Sequence, residues 1–221
     1  ALTNDLLVKV CSYITDPVTT TDELIPSGET SSYRSNPERL SEFALSRRDP
    51  QYVGRSKVMR QIERDREAGK ALPEEVMKVY EALTKAGIAN DPANTDIGST
   101  IFANMPGDGS AREQAASCQR VMGASANFAK QYATKRYRSN CINWGMTPFL
   151  VENPEVFELG DYIFVPGIRE AVLENKASFT AYAVKPDGTV TEFPVSTGAL
   201  TEAERQIIAD GCLINYYRNN Q

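Results

Sequence analysis

Apolar, β-prone runs recur along the chain at lengths typical of strands. The first is LLVKVCSYI at residues 6–14, and a polar loop over residues 19–37 follows it. The same pattern predicts further strands over residues 97–105, 124–132, 147–151 and 161–167. Two alternating runs over residues 178–195 enclose Pro186-Asp187-Gly188, which predicts a β-hairpin.

Segments with helical periodicity lie between these strands. The clearest is residues 72–87, which open near a proline and end at a glycine. Its apolar positions recur at helical spacing and form one stripe, Val76, Val79, Tyr80 and Leu83. Further helices are predicted over residues 37–45, 54–71, 110–123, 133–145 and 201–220. Because strands and helices mix throughout, the pattern predicts an α/β or α+β class with one compact core, a single domain over residues 1–221.

Composition and charge limit the class of partner. Hydrophobic residues make up 41% and charged residues 24%, and the net charge of -5 argues against nucleic acid as a partner. No apolar run reaches the length of a membrane span, and the first residues lack the features of a secretory signal. A strand is predicted almost at the first residue, so we expect the chain to be part of a longer protein.

Few residue types in this chain can act as catalytic groups or metal ligands. The chain has no histidine, which removes the commonest general base and the commonest metal ligand. Four scattered cysteines form no C-x-x-C pair and are predicted to be buried small apolar residues, namely Cys11, Cys118, Cys141 and Cys212. Any chemistry must use hydroxyls, carboxylates, arginines or groups from another domain. The unpaired cysteines fit a cytoplasmic or organellar-matrix location.

A Gly-rich turn, residues 107–109, links a predicted strand to a predicted helix. Unpaired N–H groups and the helix dipole attract anions at such a junction. Arg112 lies within the first predicted helical turn, and Arg34 lies in a loop rich in hydroxyls. If the two arginines converge, they would suit a small di- or tricarboxylate. A purely structural interpretation is also open, with Ser110 as N-cap, Glu113 completing a capping box, and Arg112 paired with a surface acid.

Several segments resemble, in the same order, motifs of the aconitase family's C-terminal swivelling domain. GDGSAREQAA resembles G-D/E-G-S-S-R-E-H-A-A, and Thr20-Thr21-Asp22 with the LIPSG that follows resembles T-T-D-H-I-S-P-A-G. Arg34 follows Gly28 by six residues, the spacing of the family's substrate-binding arginine. AKQYATKRYRSNCINWGMTPF resembles A-K-S-F-x-R-I-H-R-S-N-L-x-x-x-G-x-L-P-L with one residue extra.

The resemblance covers residues 6 to about 170, where Gly160-Asp161 and VPGI fit a later strand of the family. The helical stretch at about 45–88 has no counterpart and is expected to be an insertion. The resemblance implies a swivelling β/β/α three-layer domain that closes over an active site carried mainly elsewhere.

The family's cofactor is implied to lie outside this chain. In aconitases, three cysteines of another domain or subunit hold a 4Fe-4S cluster whose open iron binds the substrate. This chain is therefore expected to bind no cofactor itself. Its expected partners are N-terminal cluster-binding domains or a large subunit, and a small polycarboxylate substrate.

The resemblance assigns roles to individual residues. Arg34 and Arg112 match the carboxylate-binding arginines, and Ser110 matches the first serine of the family's Ser-Ser-Arg run. Asp22 matches the loop aspartate, which is expected to orient loop groups, and Gly109 belongs to the supporting turn.

Ala111 departs from the family pattern, because it stands where the family has its proton-abstracting serine. Three family histidines are also replaced, by Glu23, Gln114 and Tyr137. A methyl group cannot take a proton. Either Ser110 or a group from another domain takes it, or the chain binds its ligand without turnover, or the residue was changed deliberately.

Three functions follow from these motifs. The first is the C-terminal swivelling domain of an aconitase-like hydro-lyase, which dehydrates and hydrates a hydroxy-polycarboxylate. The second is a free-standing small subunit of an enzyme like isopropylmalate isomerase. The third is a non-catalytic carboxylate-binding or regulatory module, for which Ala111 is the main support.

Overall fold

Nine strands run through the part of the chain that the computed structural model describes, residues 1–27, 33, 35–110 and 112–220. In chain order they are β1 (Asp5–Ile14), β2 (Thr19–Thr20), β3 (Thr95–Ala103), β4 (Pro106–Asp108), β5 (Ala124–Ala129), β6 (Thr147–Leu150), β7 (Tyr162–Val165), β8 (Phe179–Val184) and β9 (Val190–Val195). Seven of these form one sheet in the order β6-β5-β3-β1-β7-β8-β9, while β2 and β4 form a separate two-stranded ladder.

The large sheet is mixed and curls upon itself. Strands β1, β3, β5 and β6 are parallel, whereas β7, β8 and β9 pair antiparallel from β1 outward. The two edges meet at an antiparallel bridge, where the N–H of Leu150 donates to the carbonyl of Ser196 (2.7 Å) and the N–H of Ser196 returns a bond (3.1 Å). This contact folds the sheet into two facing β layers.

Helices complete the architecture. They are α1 (Thr21–Leu24), α2 (Pro37–Ser41), α3 (Tyr52–Glu67), α4 (Glu74–Lys85), α5 (Gln114–Val121), α6 (Lys135–Asn143), α7 (Ile168–Leu173), α8 (Glu202–Asp210) and α9 (Leu213–Asn219). Side-chain caps fix several starts, because the side chains of Asn36, Thr134 and Thr201 each accept a bond from an N–H of the first helical turn. Among the described residues, none of these helices is long and apolar enough to cross a membrane.

Alternating side chains of the sheet divide the core in two. Leu6, Val8 and Val10 of β1 point into one cluster, which also includes residues of α7 and α8 and contains five phenylalanines, Phe102, Phe128, Phe149, Phe157 and Phe193. Leu7 and Cys11 point outward against α3 and α4. The helices on that outer face form the third layer, so the fold is a β/β/α three-layer domain.

The chain's C-terminal helix differs from the prediction. One helix was predicted over residues 201–220, but the structure has two, α8 and α9, separated at Gly211. Gly211 adopts φ +101°, a left-handed conformation that suits glycine. A Cβ built on Gly145 would lie 1.8 Å from the Gly211 carbonyl oxygen, so the break allows two backbones to approach closely.

Glu63 of α3 links this helix to the first residues of β3. One carboxylate oxygen accepts the backbone N–H of Ile97, and the other accepts from the Arg66 guanidinium. Burial raises the pKa of Glu63 to about 7, although the bonds from Arg66 and Ile97 favour the ionised form. The folded chain therefore holds a proton on Glu63 at pH values where the unfolded chain has released it.

This difference predicts a pH-dependent stability. Between about pH 4.5 and pH 7 the native state binds the extra proton, so the free energy of unfolding falls as pH rises, by up to about 3 kcal/mol. Glu63→Gln should remove that part of the slope, and urea unfolding of both proteins at several pH values measures it. Glu67→Gln, an exposed site on the same helix, is the control and should keep the wild-type slope.

Candidate functional site

The structure brings the two family-like motifs together. Strand β2, which leads into Asp22, pairs in parallel with β4, which leads into Gly109. Thr19 lies opposite Pro106, and its N–H also donates to the carbonyl of Met105 (3.0 Å). Residues 20–27, here called the T-T-D loop, therefore lie beside the Gly-rich turn although about 85 residues separate them in sequence.

The Gly-rich turn depends on both of its glycines. Gly107 and Gly109 adopt φ +99° and +94°, where a side chain is strained. A Cβ on Gly107 would lie 2.5 Å from the Cβ of Tyr137, while a Cβ on Gly109 would meet nothing closer than the Thr21 hydroxyl at 3.8 Å. Thr134 also donates to the Gly107 carbonyl (3.2 Å). The start of α6 therefore supports the turn directly.

Tyr137 is buried and belongs to a polar network beneath the turn. Its hydroxyl lies 3.0 Å from the Gln119 side-chain oxygen and accepts a bond of 3.0 Å from the Asn127 amide. Burial raises the pKa of the Tyr137 hydroxyl well above its ordinary value. The residue at this family histidine position is thus a neutral supporting group.

Asp22 organises the T-T-D loop. One carboxylate oxygen accepts both the N–H and the hydroxyl of Ser27, each at 3.0 Å. The other accepts from the Arg47 guanidinium at 2.8 Å. The bonds from Ser27, and then the charges of Arg47 and Arg112, hold the pKa of Asp22 below its ordinary value. Asp22 is therefore ionised near neutral pH and links the two ends of the loop.

Arg112 connects the Gly-rich side of the site to this loop. Its guanidinium donates to the backbone carbonyl of Ile25, and the side chain is half-buried. A guanidinium has five N–H donors in a planar fork, so this one bond still leaves capacity for a carboxylate. The contact places a fixed positive charge where the two motifs meet.

The helix after the turn starts later than predicted. The structure begins α5 at Gln114, so Arg112 precedes the helix and Ser110 is not its N-cap. The Glu113 side chain makes no capping bond and instead accepts from the indole N–H of Trp144 (3.0 Å). The capping-box interpretation is wrong.

Two predicted site residues, Arg34 and Ala111, lie outside the described residues. Ser110 and Gly109 are described, and both are exposed on the turn. The roles predicted for these residues, for Asp22 and for Arg112 stay predictions.

Sequence reasoning missed Arg47. Its only signal was the adjacent pair Arg47-Arg48 in a loop between two predicted helices, and nothing in the pattern connected that loop to Asp22. All four cysteines are free thiols: Cys11, Cys118 and Cys141 are buried as predicted, whereas Cys212, at the start of α9, is only partly buried. Within the described ranges, His, Cys, Asp and Glu side chains form no group that could hold a metal ion.

Comparisons with known proteins agree with the motifs. The methanogen homoaconitase small subunit of Methanocaldococcus jannaschii is 30% identical over 138 residues, which cover 62% of this chain and 72% of that subunit. The crystal structure of 3-isopropylmalate dehydratase from the same organism superposes with a TM-score of 0.57 at 20% identity. That superposition covers 97% of this chain and 95% of the other, and it shows a shared fold. No protein-family model matches the sequence.

Proposed function

The chain belongs to the aconitase family, and on that premise we propose that it is the swivelling domain of an aconitase-like hydro-lyase that hydrates and dehydrates a small hydroxy-polycarboxylate. The observation that carries the proposal is the meeting of the T-T-D loop and the Gly-rich turn at Arg112 and Asp22. Both motifs resemble family segments, and both face the same point of this fold.

Arg112 is the carboxylate-binding group in this proposal. Its bond to Ile25 fixes the guanidinium, and a fixed fork binds a carboxylate in two parallel hydrogen bonds. Arg34, the other arginine that matches the family pattern, is proposed to bind a second carboxylate. Asp22 is proposed to hold the loop rather than to contact the substrate, because Ser27 and Arg47 occupy its two oxygens.

The iron–sulfur cluster belongs elsewhere in the enzyme. Cys11, Cys118 and Cys141 are buried, and among the described residues no group of His, Cys, Asp or Glu side chains could hold a metal ion, so these residues do not fit a cluster. We place a 4Fe-4S cluster on N-terminal domains of the same polypeptide or on a large subunit. This chain then contributes binding and orientation of the carboxylates.

The base that abstracts the proton is the open point of the proposed reaction. Ala111 offers no base, and Ser110 is the neighbouring hydroxyl on the exposed turn. A carboxylate-binding module without turnover is therefore the alternative function. The full-length, cluster-loaded enzyme separates the two: iron and acid-labile sulfide are assayed, and hydroxy-polycarboxylates are screened for interconversion with their unsaturated products. A cluster-loaded protein that binds these acids but converts none would favour the binding module.

Arg112→Lys tests the carboxylate site. We expect KM to rise about 10-fold, because a lysine point charge cannot reproduce the planar fork or hold the Ile25 carbonyl in the same geometry. The matched control is Arg120→Lys on α5, whose guanidinium donates to the Ala124 carbonyl. Steady-state kinetics of the loaded enzyme should show a change in KM only for the first variant. Equal kinetics in the two variants would contradict the assignment.

A further inference from the structure

The T-T-D loop is held from more than one direction. Arg112 contacts it from the Gly-rich side, through the Ile25 carbonyl. The segment that follows α2 contacts it twice, because the N–H of Leu45 donates to the Leu24 carbonyl (3.0 Å) and Arg47 donates to Asp22 (2.8 Å). This segment begins the helical stretch that has no counterpart in the family pattern.

Arg48 extends the contact to the start of the loop. Its guanidinium donates to Asp16, and its Nε lies 3.9 Å from a carboxylate oxygen of Glu23. Glu23 in turn belongs to the capping box that starts α1 at Thr20. Two consecutive arginines, Arg47 and Arg48, therefore reach two acidic residues of one helical turn.

Leu45 directs these arginines by an unusual backbone conformation. It has φ +57°, which is unfavourable for a residue with a Cβ, and its side chain is fully buried. Strain of this kind persists only where the surroundings impose it, and it is concentrated near functional sites. Here the conformation accompanies the Leu45–Leu24 bond and the placement of Arg47 beside Asp22.

We propose that Arg47 is a positioning residue of the substrate site, which acts by holding Asp22 and, through Asp22, Ser27. This inference rests on the proposed function. Ile25, whose carbonyl accepts the bond from Arg112, lies between Asp22 and Ser27 in the same loop, so order in this loop also holds the Arg112 guanidinium. An exposed ion pair contributes little to overall stability, so the effect should be local to the loop.

The Arg47–Asp22 pair differs in its contacts from other surface ion pairs of the same segment. Asp22 uses one oxygen within its own loop and the other for Arg47, so loosening Arg47 frees the carboxylate that orders Ser27. Lys57 pairs with Glu42, also within this stretch of chain, and among the described residues no hydrogen bond or ion pair joins either side chain to the T-T-D loop. Lys57→Ala removes the same charge from the same segment and is the matched control.

The test has two independent measurements on Arg47→Ala, Arg47→Lys and Lys57→Ala. In the full chain, hydrogen exchange followed by mass spectrometry reports the backbone amides of Leu24, Ile25 and Ser27. In the cluster-loaded enzyme, KM and kcat are measured for the hydroxy-polycarboxylate that it converts. For Arg47→Ala we expect exchange to accelerate and KM to rise, each about 3- to 10-fold, while kcat changes less than KM. Arg47→Lys should recover part of both effects, and Lys57→Ala should match the wild type.

Each result decides one claim. Unchanged exchange in Arg47→Ala would overturn the proposal, and so would accelerated exchange with an unchanged KM. If Lys57→Ala changed exchange and KM as much as Arg47→Ala does, the effect of Arg47 would come from its charge and not from its contact with Asp22. If the loaded wild-type enzyme converts no hydroxy-polycarboxylate, the proposed function fails, and the exchange measurement still decides whether Arg47 orders the loop.

Discussion

Replacing Ala111 by serine is expected to raise kcat for hydration and dehydration by on the order of 10²-fold, with little change in KM. Arg112 is retained, and the contacts proposed for it with a carboxylate would act alike on the ground state and the transition state. The missing hydroxyl would act only when the proton is removed, so its return should change rate rather than affinity.

The measurement is steady-state kinetics of the full-length, cluster-loaded enzyme. Ser110→Ala is the companion variant, because Ser110 is the hydroxyl next to Ala111 in sequence. If the natural enzyme already works at a rate typical of aconitases and Ala111→Ser leaves it unchanged, the base lies elsewhere. A large loss in Ser110→Ala would then identify Ser110 as that base.

Gly107→Ala is expected to lower the free energy of unfolding by about 3–5 kcal/mol and to abolish carboxylate binding. Two costs add at this position. The φ of +99° is unfavourable for alanine, and the new Cβ would lie 2.5–2.6 Å from three atoms of the Tyr137 side chain. Tyr137 cannot retreat, because it is buried and its hydroxyl is held by Gln119 and Asn127. The Gly-rich turn must therefore move to relieve the clash between the new Cβ and Tyr137.

Gly109→Ala is the control for Gly107→Ala, since it has a similar φ of +94° but its Cβ would meet only the Thr21 hydroxyl at 3.8 Å. We expect Gly109→Ala to lower the free energy of unfolding by only about 1–2 kcal/mol, which is the cost of the backbone conformation. Urea unfolding of both variants gives the comparison. Equal losses of unfolding free energy in the two variants would show that the contact with Tyr137 does not contribute to the cost of Gly107→Ala.

Much of the fold could be predicted from local pattern. The hairpin at Pro186-Asp187-Gly188, the helix predicted over residues 72–87 and the long first strand are present as β8–β9, α4 (Glu74–Lys85) and β1. The closure of the sheet between Leu150 and Ser196 could not be predicted, because it joins residues far apart in sequence through backbone atoms alone. The break at Gly211 also depends on a distant residue, the approach of Gly145.

The candidate site was partly accessible to sequence reasoning. The motifs around Asp22 and Arg112 could be matched to family segments despite departures at Glu23, Ala111 and Gln114, and the structure brings both motifs to one place. The start of α5 was misjudged because Ser110 and Glu113 have the spacing of a capping box, while the tertiary contact with Trp144 takes the Glu113 carboxylate. Arg47 was missed because its partner Asp22 lies 25 residues away and no local pattern marks an ion pair at that distance.

The bridge between Leu150 and Ser196 has a mechanical consequence. An open sheet can flex by fanning at its edges, but a sheet joined edge to edge resists such bending because a pair of backbone bonds must break first. Asp22 and Arg112, which are carried beside this closed sheet, should therefore move together as one rigid body. In the proposed enzyme, rotation of this domain against its partner would open a path for the substrate at the boundary between the two bodies, and the spacing of the proposed binding groups within this chain would stay constant.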